Sequence, residues 1–204
     1  LLEFERFLSQ DSEHRIVASE SQQLSSVEQQ RDVFESHRHR VFAVSYYMTA
    51  NELEAENILT DTFVSAFSRQ QLPDADGVDR ALLAELERRF SLAQVEPARP
   101  DADLLLARTA THRTDMEEAL IQLPASERLV FLLKDVEGYC AARIACLLDL
   151  PEASVQRTIL SARIRMRNSL AAAHRHKEKQ LAASKLNDLP ESLPAGTAED
   201  DLRL

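Results

Sequence analysis

The chain has 204 residues, with 34 acidic against 24 basic side chains and a formal charge of -10 at pH 7. That balance excludes a protein that coats nucleic acid over its whole surface and leaves room only for a local basic site. Three glycines, no tryptophan and 5% aromatics, set among abundant Leu, Ala, Glu, Gln and Arg, predict an all-α chain long enough for one or two small domains.

Residues 1–26 read as a short N-terminal helix followed by a loose Ser/Gln-rich connection, SESQQLSSVEQQ. Over the next stretch Phe34, Val41, Val44, Tyr47 and Met48 recur at helical spacing and make one apolar stripe. Asn51 followed by Glu54 is a capping-box pattern that starts a second helix. Its apolar positions are Ala55, Ile58, Leu59, Thr62, Phe63, Ala66 and Phe67. Leu72-Pro73 and Gly77 break the pattern. A third helix is predicted from about Val78 to Val95, with Leu82, Leu83, Leu86 and Phe90 inward. These three helices, residues 27–95, can close a small bundle.

Residues 96–113 contain two prolines, lose periodicity and read as a linker, with a short helical turn at DADLLLAR. A second helical domain is expected over 114–172, and a polar, mobile, acidic tail over 173–204. Within the second domain Leu123-Pro124 ends one helix and Gly138 caps the next. YCAARIACLLDL gives a short helix, and Pro151 suits the first position of a longer one. Short helix, tight turn and long basic helix is the helix-turn-helix layout.

The long helix is unusual for this acidic chain, with no carboxylate between Glu152 and Glu178. At 100° per residue, Val155, Ile159, Ala162, Met166 and Leu170 share the core side. Gln156, Arg157, Leu160, Ile164 and Arg167 fall opposite, and Arg163 and Arg165 flank the seam. Ser154, Gln156 and Arg157, near the N-terminal end, are placed to reach base edges, with Ser161 also on the candidate face; Arg163, Arg165 and Arg167 are placed for phosphates. Four or five such contacts give a log–log salt slope of roughly -4, at about -0.9 each, enough for docking but weak alone.

The segment LPASERLVFLLKDVEGYCAARIACLLDLPEASVQRTILSARIRMR, Leu123 to Arg167, resembles region 4 of bacterial sigma factors, the extracytoplasmic-function (ECF) group of the sigma-70 superfamily above all. The shared positions are Leu123, Pro124, Arg128, Val130, Phe131, Asp135, Glu137, Gly138, Ile144, Ala145, Pro151, Ser154 and Val155. The block AENILTDTFVSAFS, Ala55 to Ser68, is similar to the region 2 helix of that group that binds the clamp helices of RNA polymerase. The resemblance implies two helical domains joined by a linker. One docks on core RNA polymerase through Glu56, Asn57, Thr60 and Asp61 and opens the -10 element; the other reads the -35 element of promoter DNA. Departures from the pattern are Asn57 for Asp, Thr60 for Gln, Asp149 for Gly and Gln156 for Lys. Thr158 and Ser161 stand at positions that are usually basic. A tryptophan-bearing helix is missing, and the loop LPDADGVD carries Asp74, Asp76 and Asp79, which would repel a single strand. Weaker intrinsic DNA binding is expected.

Leu160 and Ile164, between arginines, admit three accounts: contact with thymine methyls or sugar edges, a surface masked by an anti-sigma factor, or scattered surface apolar residues. His37 and His39, like His174 and His176, are two apart and diverge on a helix, so they read as solvated polar positions and no metal site is expected. Cys140 and Cys146 are not a CxxC pair and read as buried, reduced thiols. There is no catalytic constellation or phosphate-binding glycine loop, so neither enzyme activity nor a cofactor is expected. No membrane span or signal peptide is visible and a cytoplasmic location is expected, although the chain opens LLEFERFLSQ without Met, which points to a start further upstream. The leading expectation is a sigma factor directing promoter-specific initiation. The alternatives are a sigma-mimicking adaptor that sequesters an anti-sigma factor and a stand-alone helix-turn-helix regulator.

Overall fold

The computed structural model describes residues 2–100 and 112–187. Seven helices follow one another without a strand among the described residues: α1 Leu2–Thr49, α2 Glu52–Arg69, α3 Ala75–Arg89, α4 Arg113–Ile121, α5 Ala125–Phe131, α6 Ala141–Leu147 and α7 Glu152–Asn187. The predicted all-α class holds.

Helix α1 runs unbroken where a loose connection was expected. No Gly or Pro occurs in its 48 residues, so nothing in the Ser/Gln-rich stretch removes a backbone donor or releases φ. It ends at Ala50, whose φ of 53° lets its N–H reach the Tyr46 carbonyl at 2.7 Å. Asn51 then caps α2, its side chain accepting from the Glu54 N–H at 3.1 Å. The α1 stripe buries Val41, Val44 and Met48 against Ala55, Ile58, Phe63 and Ala66 of α2, and Phe34 meets Phe63 edge-on at 4.8 Å.

Helix α3 starts earlier than predicted, because Asp74 accepts from the Gly77 N–H at 2.7 Å and caps it. Gly77 therefore lies inside the first turn. The helix closes at Arg89, not Val95, since Phe90 is extended. Val78, Leu82, Leu83 and Leu86 fill the space under α1 and α2. Arg89 clamps α2 to α3 through Asp61 at 2.8 Å and Glu85 at 3.0 Å; the Asp61 bond holds its guanidinium above the usual arginine range.

Residues 91–100 are non-helical, and the predicted turn at DADLLLAR lies outside the described residues. Helix α5 continues through a π-type turn, Leu132–Val136, in which the Glu137 N–H reaches back to the Leu132 carbonyl at 2.9 Å. Gly138, with φ of 74°, ends it. Asp149 takes the left-handed φ of 51° in the turn before α7, a conformation Asp tolerates better than most side chains. Helix α7 continues to Asn187, so residues 173–187 are helical instead of a mobile tail, and 188–204 lie outside the described residues. Again no Pro or Gly interrupts the run.

One apolar cluster runs through both halves, from Val41 and Met48 to Leu129, Leu132, Ile144, Val155 and Met166. Arg128 crosses between them, donating to the Met48 carbonyl at 2.7 Å and the Leu123 carbonyl at 3.0 Å. It thereby satisfies one carbonyl in the last turn of α1 and one just past α4, helix ends where a cation is favoured. Burial pulls its guanidinium below the ordinary arginine value.

Candidate nucleic-acid interface

Helices α6 and α7 form the helix-turn-helix, and the seam that seats α7 is the expected one. Val155, Ile159, Ala162 and Met166 are 0%, 7%, 0% and 5% exposed, with Leu170 half-buried. Each large apolar side chain so buried contributes about 1.5–3 kcal/mol. On the far side Gln156, Arg157, Leu160, Arg163 and Arg167 are exposed, the last three following the first two at steps of three or four residues along one stripe. Ile164 is half-buried at its edge. Ala153 and Glu152 open the stripe at the N-terminal end of the helix.

Two residues expected on this face are elsewhere. Ser161 is 3% exposed: its hydroxyl donates to Glu127 at 2.7 Å and accepts the Ala98 N–H at 2.7 Å. Ser154 is 8% exposed and accepts from Arg157 at 3.0 Å. Both are covered because residues 94–99 lie along α7 and leave a crevice of about 140 Å³ lined by Gln94, Pro97, Ser154, Arg157, Thr158 and Ser161. A helical wheel built from α7 alone cannot register this cover.

The arginines separate by partner. Arg165 pairs with Glu127 at 3.0 Å and donates to the Glu96 carbonyl at 2.7 Å; the Glu127 side chain is 1% exposed. Arg165 is therefore a structural tie, not a phosphate ligand. Arg163 forks onto Asp135 at 3.0 and 2.5 Å, a bidentate bond that raises its guanidinium value. Its side chain is still 52% exposed, and a surface pair of this kind is worth only about 0–1 kcal/mol. Arg163 can exchange Asp135 for a phosphate; Arg165 cannot leave Glu127 without stranding a buried carboxylate. Further along, Lys177 anchors the extension of α7 on Asp115 of α4 at 2.5 Å, which holds that carboxyl below the usual range.

Residues 113–166 match the family model for sigma-70, region 4. The match covers 54 of the 204 residues and identifies that segment as similar to region 4. Among solved structures it is similar to a complex of the sigma factor RpoE with the anti-sigma factor NepR from Bartonella quintana, at 17% identity, covering 68% of this chain and 91% of that one with a TM-score of 0.48. The matched segment begins with α4 and ends at Met166, the last buried residue of the α7 seam.

The second predicted site lies on α2. Glu56, Asn57 and Thr60 are exposed, and with Leu53 at 68%, Val64 at 61% and Ser68 they form an outward stripe along the whole helix. Asp61 is half-buried against Arg89, so it holds α3 in place as well as bordering the stripe.

The acidic loop also has an internal role. Asp74 caps α3, and Asp79, 3% exposed, binds Arg40 and accepts from the Tyr139 hydroxyl at 2.8 Å and from Arg143 at 3.0 Å. Asp76 takes the same Arg143 at 2.7 Å, and Arg143 stacks over the Tyr139 ring at 4.2 Å. Burial first, then the Asp79 hydrogen bond, push the Tyr139 phenol up to about 12. Burial alone would lower the Arg143 guanidinium, but Tyr139, Asp79 and Asp76 together raise it. Sequence spacing gave no signal for the side-chain bonds of Asp76 and Asp79, whose partners are 39 to 67 residues away.

Other expectations need correcting. Cys140 and Cys146 are exposed, not buried; Cys140 precedes α6 and its sulfur accepts from the Arg143 N–H. His37 is half-buried beside Arg40 at 3.3 Å, and burial followed by Arg40 lowers its imidazole value. Among the described residues no cluster of His, Cys, Asp or Glu is arranged to hold a metal, and no helix is long and apolar enough to cross a membrane.

Proposed function

We propose that the chain is a sigma factor of the ECF type that binds core RNA polymerase and directs promoter-specific initiation. The observation that carries this reading is the exposed Gln156–Leu160–Arg163–Arg167 stripe on the anchored long helix of a region 4 domain. A convex helix of this width enters a major groove, with Gln156 and Arg157 toward base edges at -35 and Arg163 and Arg167 toward the backbone. Leu160 then lies where a thymine methyl or sugar edge passes. The α2 stripe supplies the polymerase contact: Leu53 and Val64 are apolar anchors flanking Glu56, Asn57 and Thr60. The chemistry of RNA synthesis belongs to the polymerase, and the chain acts by positioning.

The test is co-purification with core polymerase. Wild type should co-elute, and Asn57→Arg or Thr60→Arg, at exposed positions with no packing role, should weaken association at least tenfold. Undiminished association in both variants would remove α2 from the polymerase interface.

A second reading is a sigma-mimicking adaptor that sequesters an anti-sigma factor. It is favoured by the loop at Asp74, Asp76 and Asp79, whose carboxylates are already engaged within the chain and offer nothing to an unstacked -10 strand. Stable core binding with no initiation on any duplex would select it.

A further inference from the structure

Helix α7 carries one carboxylate where the proposed DNA face begins. Glu152 is the first residue of the helix and is exposed, and no further acid follows until Glu178. At about 100° per residue, Glu152 falls within about 80° of Gln156, Leu160, Arg163 and Arg167. It therefore stands at the head of their stripe. Gln156 binds it there: the amide Nε2 donates to Glu152 Oε1 at 3.1 Å, and both residues are exposed. The helix dipole favours an acid at this end whatever faces it. On a stripe that docks against a polyanion, however, a carboxylate weakens binding unless a hydrogen-bond donor meets it.

The chemistry of the pair selects among the base edges. One amide N–H of Gln156 is engaged by Glu152. The second carboxylate oxygen, the amide carbonyl oxygen and one N–H remain, so the pair is rich in acceptors. In the major groove guanine offers two acceptors, and thymine an acceptor and a methyl group; neither can donate to a carboxylate. Adenine offers an amino donor beside the N7 acceptor, and cytosine an amino donor with no acceptor at its side. An untethered glutamine takes adenine through N6 and N7 together. Tied to Glu152, it would bring the carboxylate towards N7, acceptor against acceptor. Cytosine is the base left without such a clash.

We propose that Glu152 and Gln156 act as one reading unit for a cytosine amino group in the major groove, with Glu152 accepting the N4 hydrogen and Gln156 orienting the carboxylate. The inference rests on the DNA-reading half of the proposed function and names a base that this site takes. Arg163 and Arg167 provide attraction to any duplex. The carboxylate turns part of that attraction into discrimination, because it weakens binding to every duplex that presents no amino group at its position.

The test is selection from a randomised duplex library by core polymerase carrying the full chain or its Glu152→Gln variant. Fluorescence anisotropy then follows on the selected duplex with each of the four bases at the position where the two motifs differ. Wild type should select cytosine there and bind that duplex about ten- to a hundredfold more tightly than the other three. Glu152→Gln keeps the size of the side chain and removes its charge. It should lose the cytosine preference yet bind the other three duplexes at least as tightly as wild type does, because a repulsion is gone. Gln156→Ala should narrow the preference a few-fold without inverting it, since the carboxylate remains but is no longer oriented. Arg163→Ala should weaken all four duplexes alike. Circular dichroism checks that the variants stay folded. If Glu152→Gln weakens all four duplexes by one factor, Glu152 serves only the start of the helix and the proposal is overturned. Identical motifs from wild type and Glu152→Gln, or a wild-type preference for another base at that position, overturn it equally and leave the DNA reading intact. If wild type selects no motif at all, the DNA reading itself fails and takes this inference with it.

Discussion

The division of labour between Arg163 and Arg165 can be measured directly. Both belong to the same basic run, but the structure assigns them opposite roles. Arg163 is 52% exposed and held by an exchangeable surface pair with Asp135, whereas Arg165 compensates a carboxylate that is 1% exposed. If Arg163 and Arg167 make the phosphate contacts, the log–log salt slope for duplex binding is about -1.8, at about -0.9 per contact. That is shallower than the slope of about -4 expected when every arginine of the run is counted. Arg163→Ala should reduce it to about -0.9 and change unfolding free energy by less than about 1 kcal/mol. Arg165→Ala should leave the slope near -1.8 but destabilise the fold by roughly 2 kcal/mol. A broken buried pair would cost more, but Arg165 is itself partly exposed and Ser161 still donates to Glu127. The assay is fluorescence anisotropy of a labelled promoter duplex across a salt series, alongside urea unfolding of each variant. A slope that falls with Arg165→Ala and stays fixed with Arg163→Ala would refute the assignment.

Three further outcomes follow from the packing. Ile159→Ala should cost about 2–5 kcal/mol, while Leu160→Ala, one residue on and 61% exposed, should stay within about 0.5 kcal/mol; denaturant midpoints decide, and equal losses would mean the seam is misplaced. Ala50→Gly should stabilise the chain by about 1 kcal/mol, since an L side chain at φ of 53° is strained, and a lowered thermal midpoint would contradict that. Tyr139, with its phenol raised to about 12, should show as a late component in ultraviolet titration that Tyr139→Phe removes. Because the folded value lies above the unfolded value of about 10, its contribution to stability is complete below about pH 10. It should be lost as pH rises through 12. A titration with no component that Tyr139→Phe removes would show that the phenol is not held by Asp79.

What could be read from the sequence was what depends on near neighbours. The α7 seam follows from a period of 3.6 residues, and Val155, Ile159, Ala162 and Met166 obey it because one continuous helix lies on one core. The Asn51 cap and the Gly138 stop are equally local. The misses have a common cause in contacts between distant segments. Ser161 looked available because the wheel contains α7 alone, whereas the linker amide of Ala98 and the buried Glu127 claim its hydroxyl. Arg165 was grouped with the other arginines for the same reason. The loop carboxylates looked merely repulsive to a strand until Arg143 and Tyr139 appeared beside them. The length of α1 is a different case: its Ser/Gln-rich stretch was weighed by polarity, although lack of a breaker decides continuity when neighbouring turns are helical.

The most direct test of the central claim is run-off transcription by core polymerase supplemented with this chain on fragmented genomic DNA. Transcripts should start at a restricted set of sites and be abolished by Arg157→Ala combined with Arg163→Ala while binding to core polymerase persists. Transcripts that survive that double substitution at undiminished yield, or core binding without any initiated product, would contradict it.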